Sequence, residues 1–425
     1  MLISSYRGSI ASAVGADASS PPQANCFVES GADTVVVNSM AALESAVATA
    51  PPGRNILVAP GTYSGGSFTF TGNGAGGSPI VIRPQNGLET VTINAPRWTI
   101  ANTSSWLIFS KIHFTSSRIG LMGDHNRISR CRFRNCNVDA SIVIGQDGTA
   151  GGARDCRIDH CEFSDFTGAV PAISIRPAGF ANGLQARVLI DYCYFHDHLQ
   201  DVAVINSFGN TSWADLPQGE TIILDHCLFD NINRTGEYII VKIGGWVTRF
   251  CTFTNMNGYL SFRTAGNCEL RSCWFEGASH EAMKGFGPGH LVIGNRFVGG
   301  INLWAPCGNA SWANILSGAA PINTYAPTTN GRFIGNRMGS GNIIVGEFWP
   351  SNPSPGASFP ADSNLLEANT RDSGGSPEIL LSTKFSLTPP HINTTVNSTT
   401  TETFTPAVKL TASDVGLPAA DPLCP

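Results

Sequence analysis

Hydrophobic and polar positions in this chain follow a short unit that returns eight times between Arg130 and Met338. Each copy is a strand closing on Cys or Asn, one variable residue, and then Phe or a substitute. The copies are Arg130-Cys131-Arg132-Phe133, His160-Cys161-Glu162-Phe163, Tyr192-Cys193-Tyr194-Phe195, His226-Cys227-Leu228-Phe229, Phe250-Cys251-Thr252-Phe253, Ser272-Cys273-Trp274-Phe275, Gly294-Asn295-Arg296-Phe297 and Gly335-Asn336-Arg337-Met338. A spacing of two places Cys and Phe on the same face of a strand. Both are among the most buried residue types, so that face is inward, and the intervening Arg, Glu, Tyr or Thr faces water.

Successive Cys or Asn positions lie 30, 32, 34, 24, 22, 22 and 41 residues apart. A base coil of about 22 residues is therefore lengthened by loops rather than changed in kind. Strands one coil apart stack at about 4.8 Å. Upstream, Asn55 to Thr62 and Pro79 to Pro84 predict the first coils, each tied to a Gly- or Pro-containing turn. A polar segment rich in Ser, Thr and Pro begins near Pro350, and His391 to Pro425 has low-complexity character. The expected fold is all-β, a single-stranded right-handed parallel β-helix with a polar C-terminal capping region. Residues 1–33 form an N-terminal extension or cap, 34–345 the solenoid, and 346–425 the cap and a loosely attached tail.

Composition agrees with β structure rich in turns: 42% hydrophobic, 13% charged and 46 glycines. A net charge of -5 gives no dominant basic face for nucleic acid or anionic membranes. No apolar run reaches the length of a membrane span. Met1 to Asn25 is small and polar, lacks the apolar core of a secretory signal, and is expected to be a processed terminus. Secretion is expected instead from six Asn-x-Ser/Thr triplets at Asn102, Asn210, Asn233, Asn309, Asn393 and Asn397. The twelve cysteines should divide into buried thiols and a few bridges, with Cys26 and Cys424, outside the repeat, the best placed to form bridges.

Lysine occurs only at positions 111, 242, 284, 384 and 409. Lys242 closes the apolar strand Glu237-Tyr238-Ile239-Ile240-Val241, Arg263 follows 21 residues later, and Lys284 another 21 later. Since 21 residues is close to one coil, the three cations should stack on neighbouring coils. Stacked like charges repel, so the arrangement suits a polyanion laid across them; the alternative is three solvated surface residues at regular spacing. A uronic-acid chain presents carboxylates at such a repeat. Removing the proton beside a uronate carboxylate requires that carboxylate to be neutralised, a base to take the proton and an acid to protonate the leaving oxygen. Lys242 suits the base because burial and a nearby cation both favour its neutral form. Arg263 would stabilise charge and serve as acid.

Three segments make the chain similar to polysaccharide lyase family 6, the β-helix alginate lyases and chondroitinase B: Ala59-Pro60-Gly61-Thr62-Tyr63 followed by Gly76 to Ile82; Arg157-Ile158-Asp159-His160-Cys161; and Glu237 to Lys242 with Phe262-Arg263. The resemblance covers roughly residues 34 to 300. It implies cleavage of an anionic polysaccharide by β-elimination, with Lys242 as base and Arg263 as acid and alginate or polymannuronate as first-choice substrate. Many members of the family neutralise the substrate carboxylate with calcium held by two Glu and an Asn. Glu237 matches one Glu, but Thr235 stands two before it and the Asn position falls on or near His198. A calcium ion would keep one carboxylate ligand, Glu237, so no metal is expected and protein groups, with His198 a candidate, should neutralise the substrate. The His that commonly follows the catalytic Arg is Thr264 here. Substrate contacts are expected from Glu237, Tyr238, Lys284, His198 and His280.

Other constellations read as structural. Asp159-His160-Cys161 recurs as Asp225-His226-Cys227, as a coil corner would, and Asp155 belongs with it. His280 and Glu281 suit either the groove or an exposed loop, and Trp246 and Trp304 either sugar stacking or, by default, packing. Two other classes compete: a glycoside hydrolase, which needs two carboxylates flanking the bond, and a catalytically silent carbohydrate-binding β-helix. The protein is expected to act as a monomer.

Overall fold

The computed structural model describes the chain from Asp33 to Gly416, apart from segments of which the longest are 177–186, 208–221, 315–324, 346–360 and 382–390. It is a right-handed parallel β-helix in which every named strand pair is parallel. One sheet of fourteen short strands runs the length of the solenoid. Two further columns of strands complete each coil, and they fuse where the long strands Leu228–Val241 and Thr252–Phe262 run from one column into the other.

The repeat sets the corner between the first two columns. The residue before each Cys or Asn adopts the left-handed conformation, φ 48° to 67° from Arg130 through His160, Tyr192, His226, Phe250 and Ser272 to Gly294 and Gly335. That turns the chain from one sheet into the next, so Cys occupies the bend rather than closing a strand. Its thiol points inward and donates to a carbonyl one coil back, as Cys161 Sγ does to Ile128 O at 3.6 Å. In the last coils Asn takes over: Asn336 Nδ2 donates to Val292 O at 3.0 Å and to Asn369 Oδ1 at 2.9 Å.

Two residues after each Cys, the phenylalanines from Phe114 to Phe297 form one continuous stack, with centroids 4.6 to 5.0 Å apart and rings within 16° of parallel. Offset stacking at coil spacing adds to the burial of each ring. All eight described cysteines are buried free thiols, and no disulfide occurs among the described residues; Cys26 and Cys424 lie outside them.

The helix Met40–Ala48 starts at Ser39, whose side chain accepts from Ala42 N at 3.2 Å, and buries Met40, Leu43 and Val47 against the first coils. It closes an end that would otherwise expose the apolar interior. At the other end the ladder passes the expected boundary at residue 345: Leu365–Glu367 and Thr395–Asn397 extend the first sheet, and Ile379–Leu381 pairs with Ile343–Val345. These segments alternate well enough to stack although their polar loops hide the repeat. The expected loose tail is instead bound. Glu402 pairs with Arg332, Lys409 Nζ lies 2.6 Å from Glu276, and Gly416 N donates to Tyr192 O at 2.7 Å. This strap runs back along the corner over several coils.

Candidate active site

Parallel pairing sets Val241 opposite Phe262, and Arg263 N donates to Val241 O at 2.8 Å, so Lys242 and Arg263 leave adjacent rungs side by side. Their neighbours Ile239, Val241, Leu260 and Phe262 fill the core. An irregularity in the pairing on either side of Glu237 sets this carboxylate opposite Tyr259 on the outer wall. Glu237 Oε2 accepts from Arg263 Nη1 at 3.1 Å, and Oε1 has no protein partner among the described residues although it is buried. Burial lowers the pKa of Lys242, Arg263 lowers it further, and Glu237 opposes both. The net effect enlarges the neutral, proton-accepting fraction of the amine.

A further side chain arrives from the connection after Ala305. Tyr325 is pinned by Asn309, whose Oδ1 accepts from Tyr325 N at 2.7 Å while Asn309 N donates to Tyr325 O at 2.9 Å. Its ring lies 5.2 Å from Arg263 Cζ and 4.6 Å from Phe286, the residue one rung beyond Arg263. The phenol carries a pKa raised chiefly by burial, with the Arg263 charge pulling it back. Glu237, Lys242, Arg263, Tyr259 and Tyr325 thus form one electrostatic cluster.

Several expected contacts fall elsewhere. Lys284 pairs with Ser261, not Arg263, so the three cations do not form one column: a two-residue offset separates the third. Lys284 is 2% exposed, its ammonium 4.0 Å from the Tyr259 ring, 5.0 Å from Trp304 and 3.8 Å from Glu281 Oε1. It shares the outward face with Ser261 but is covered by these rings. Tyr238 is turned into the core by the same irregularity that turns Glu237 outward, and its hydroxyl donates to Ala282 O at 3.4 Å. His198, 1% exposed, stands in register with the core residues Ile232 and Met256, its ring 5.0 Å from Phe166. Neither residue can touch a polysaccharide on the outer wall. His280 and Thr264 lie outside the described residues.

Asp159 is buried and held by Arg127 at 2.6 and 2.8 Å and by Ser129 at 2.9 Å, a structural arrangement that Asp191 with Arg157 and Asp225 with Arg249 repeat. Trp246 is buried, its indole donating to Thr248 Oγ1 at 2.8 Å, and Trp304 packs over Lys284. Sequence reasoning missed Tyr259 and Tyr325. Tyr259 stands 22 residues after Glu237, one coil, and that spacing was available. Tyr325 comes from a long connection that carries no periodic signal.

The donor set does not fit calcium. Glu237 already gives one oxygen to a guanidinium, which would repel a dication beside it, and among the described residues no three His, Cys, Asp or Glu side chains converge as metal ligands.

The fold and site together define a parallel β-helix that carries a cluster of amine, guanidinium, carboxylate and phenol on one outer wall. The family model of chondroitinase B matches residues 37–336, and the chain belongs to that family. Solved structures agree in fold. A family 6 polysaccharide lyase from Pseudopedobacter saltans is 16% identical, with 92% of this chain and 100% of that one covered at a TM-score of 0.67. The family 6 alginate lyase AlyGC is 17% identical, covering 86% of this chain and 51% of that one, also at 0.67. A mannuronic acid specific family 6 lyase from human gut microbiota is 18% identical, covering 86% and 87%, at 0.64. No curated protein sequence matches the chain.

Proposed function

We propose that this protein is a polysaccharide lyase that cleaves a uronic-acid-containing chain by β-elimination, with alginate, and polymannuronate within it, as first-choice substrate. The carrying observation is the adjacency of Lys242 and Arg263 on neighbouring rungs, with Glu237 fixing the guanidinium. Lys242, its pKa lowered chiefly by burial, takes the proton from the carbon beside the carboxylate. Arg263 faces the negative charge that develops there and stabilises it. The calcium used by many relatives has no fitting ligand set here, so protein donors hold the substrate carboxylate. The mannuronate preference is supported by the resemblance and by one structural neighbour being specific for mannuronic acid.

The test is incubation with alginate, polymannuronate, polyguluronate, dermatan and glucuronan while ultraviolet absorbance of an unsaturated uronate is followed. Lys242→Ala and Arg263→Ala should each lower turnover by about 100-fold or more with the fold retained. Near-normal activity in either variant sinks the assignment. New reducing ends without that absorbance would mean hydrolysis, and binding without either signal a carbohydrate-binding role. Chelator treatment should change the rate little, whereas inhibition reversed by calcium would overturn the metal-free mechanism.

We also infer that the protein is exported and acts as a monomer. Asn102, Asn233 and Asn397 are exposed, which supports glycan attachment at these triplets. A mass shift on glycosidase treatment of the protein from its native source checks this.

A further inference from the structure

We infer that the protein cuts its polymer from one end, because the Tyr325 ring stops the binding wall one rung beyond Arg263. The inference rests on the lyase function above and adds to it the mode of attack: a chain terminus, not the middle of a chain, is what Lys242 and Arg263 can receive.

Lys242, Arg263 and Phe286 hold equivalent places on three successive rungs, since Arg263 N donates to Val241 O and Phe286 N to Phe262 O, both at 2.8 Å. Access changes abruptly along this row. Lys242 and Arg263 are half-buried, whereas Phe286 is 2% exposed. On the same wall Lys284 and Trp304, which pair across neighbouring rungs, are buried as well. The Tyr325 ring covers Phe286 from 4.6 Å and stands 5.2 Å from Arg263 Cζ, so it closes the wall immediately past the reacting pair. Its backbone is fixed by the two bonds with Asn309, at 2.7 and 2.9 Å. The residues that follow are locked to the same rungs: Thr328 N donates to Pro306 O at 2.9 Å, Thr328 Oγ1 donates to Gly285 O, and Ala326 and Thr328 are fully buried. The stop is therefore part of the packed wall.

In the other direction the wall stays accessible. Asn206, one coil before Lys242, and Arg176, two coils before, are half-buried rather than sealed. A polymer running along the rungs can extend that way but not past Tyr325. Rungs are about 4.8 Å apart, close to the advance of one pyranose unit, so about one or two units fit between the reacting pair and the stop. Each turnover then releases a fragment of that size and leaves the rest of the chain whole.

The test is the size distribution of a long polymannuronate during digestion, with viscosity followed against unsaturated bonds formed. Wild type should give the shortest fragments from the start while uncut polymer keeps its size. Tyr325→Ala removes the ring and should produce intermediate sizes early, with a several-fold steeper fall in viscosity per bond broken. Tyr325→Phe retains the ring and should keep the wild-type pattern. If wild type yields intermediate sizes from the outset, or folded Tyr325→Ala keeps the wild-type pattern, the stop is refuted and the lyase function stands without it. Asn309→Ala, which unpins the ring, decides should Tyr325→Ala not fold: intermediates support the stop and an unchanged pattern overturns it. If wild type forms no unsaturated product from any of the five polymers, the lyase function itself fails and the inference with it.

Discussion

Glu237 answers to two cations at once. It bonds Arg263 at 3.1 Å and, by its negative charge, holds the pKa of Lys242 above where burial and Arg263 would otherwise take it. Glu237→Gln keeps the shape and removes the charge. In the proposed mechanism neutral Lys242 takes the proton, so the acidic limb of kcat/KM should move to lower pH in this variant, while kcat falls because Arg263 loses its charged anchor. A pH–rate profile decides, and a limb displaced upward would contradict the electrostatics. Lys284 shows the opposite use of a cation: out of water, its charge is met by two aromatic faces and Glu281, so it ties neighbouring rungs of the wall together.

At the level of the coil, one corner position is filled in two chemical ways. Cys227 is a small buried group with a weak S–H bond to Ile190 O at 3.6 Å. Asn336 accepts from Asn295 N at 3.2 Å and Nδ2 at 2.9 Å, and donates to Val292 O and Asn369 Oδ1. Removing the Cys227 sulfur leaves a small void, whereas removing the Asn336 amide strands several buried polar groups at about 1–3 kcal/mol each. Asn336→Ala should therefore lower the denaturation midpoint well beyond Cys227→Ala. Equal losses would mean that the amide ladder adds nothing beyond packing.

Across the whole molecule, coils touch only their neighbours, so cohesion over distance needs a crossing element. The strap supplies one. Phe404 lies over Gly294 and Gly335, where the column of bulkier corner residues gives way to glycine and leaves room for the ring. Beyond it Leu410 N donates to Thr252 Oγ1 at 2.8 Å, and Gly416 reaches Tyr192. Truncation after Asn397 should lower Tm by several degrees and loosen the coils around the active site, measured by hydrogen exchange of the 228–276 strands. Unchanged protection there would show that the strap is passive.

The sequence by itself determined the solenoid, the inward Cys and Phe columns, and the adjacency of Lys242 and Arg263, because a coil repeat is local and a residue one period on has only one place to stack. It also marked Asp159 and His160 as structural, since their pattern recurs at the corners. Tertiary structure alone decided which face each residue near the site takes. A pairing irregularity around Glu237 sends Tyr238 inward, a two-residue offset buries Lys284, and His198 falls on a core column. An irregularity of one residue reverses the direction of a side chain and an offset of two moves it along the same face, and neither alters the spacing that sequence displays. Tyr325 and the bound strap belong to the same category, for both are set by chain that returns to the solenoid from far along the sequence, where no period constrains it.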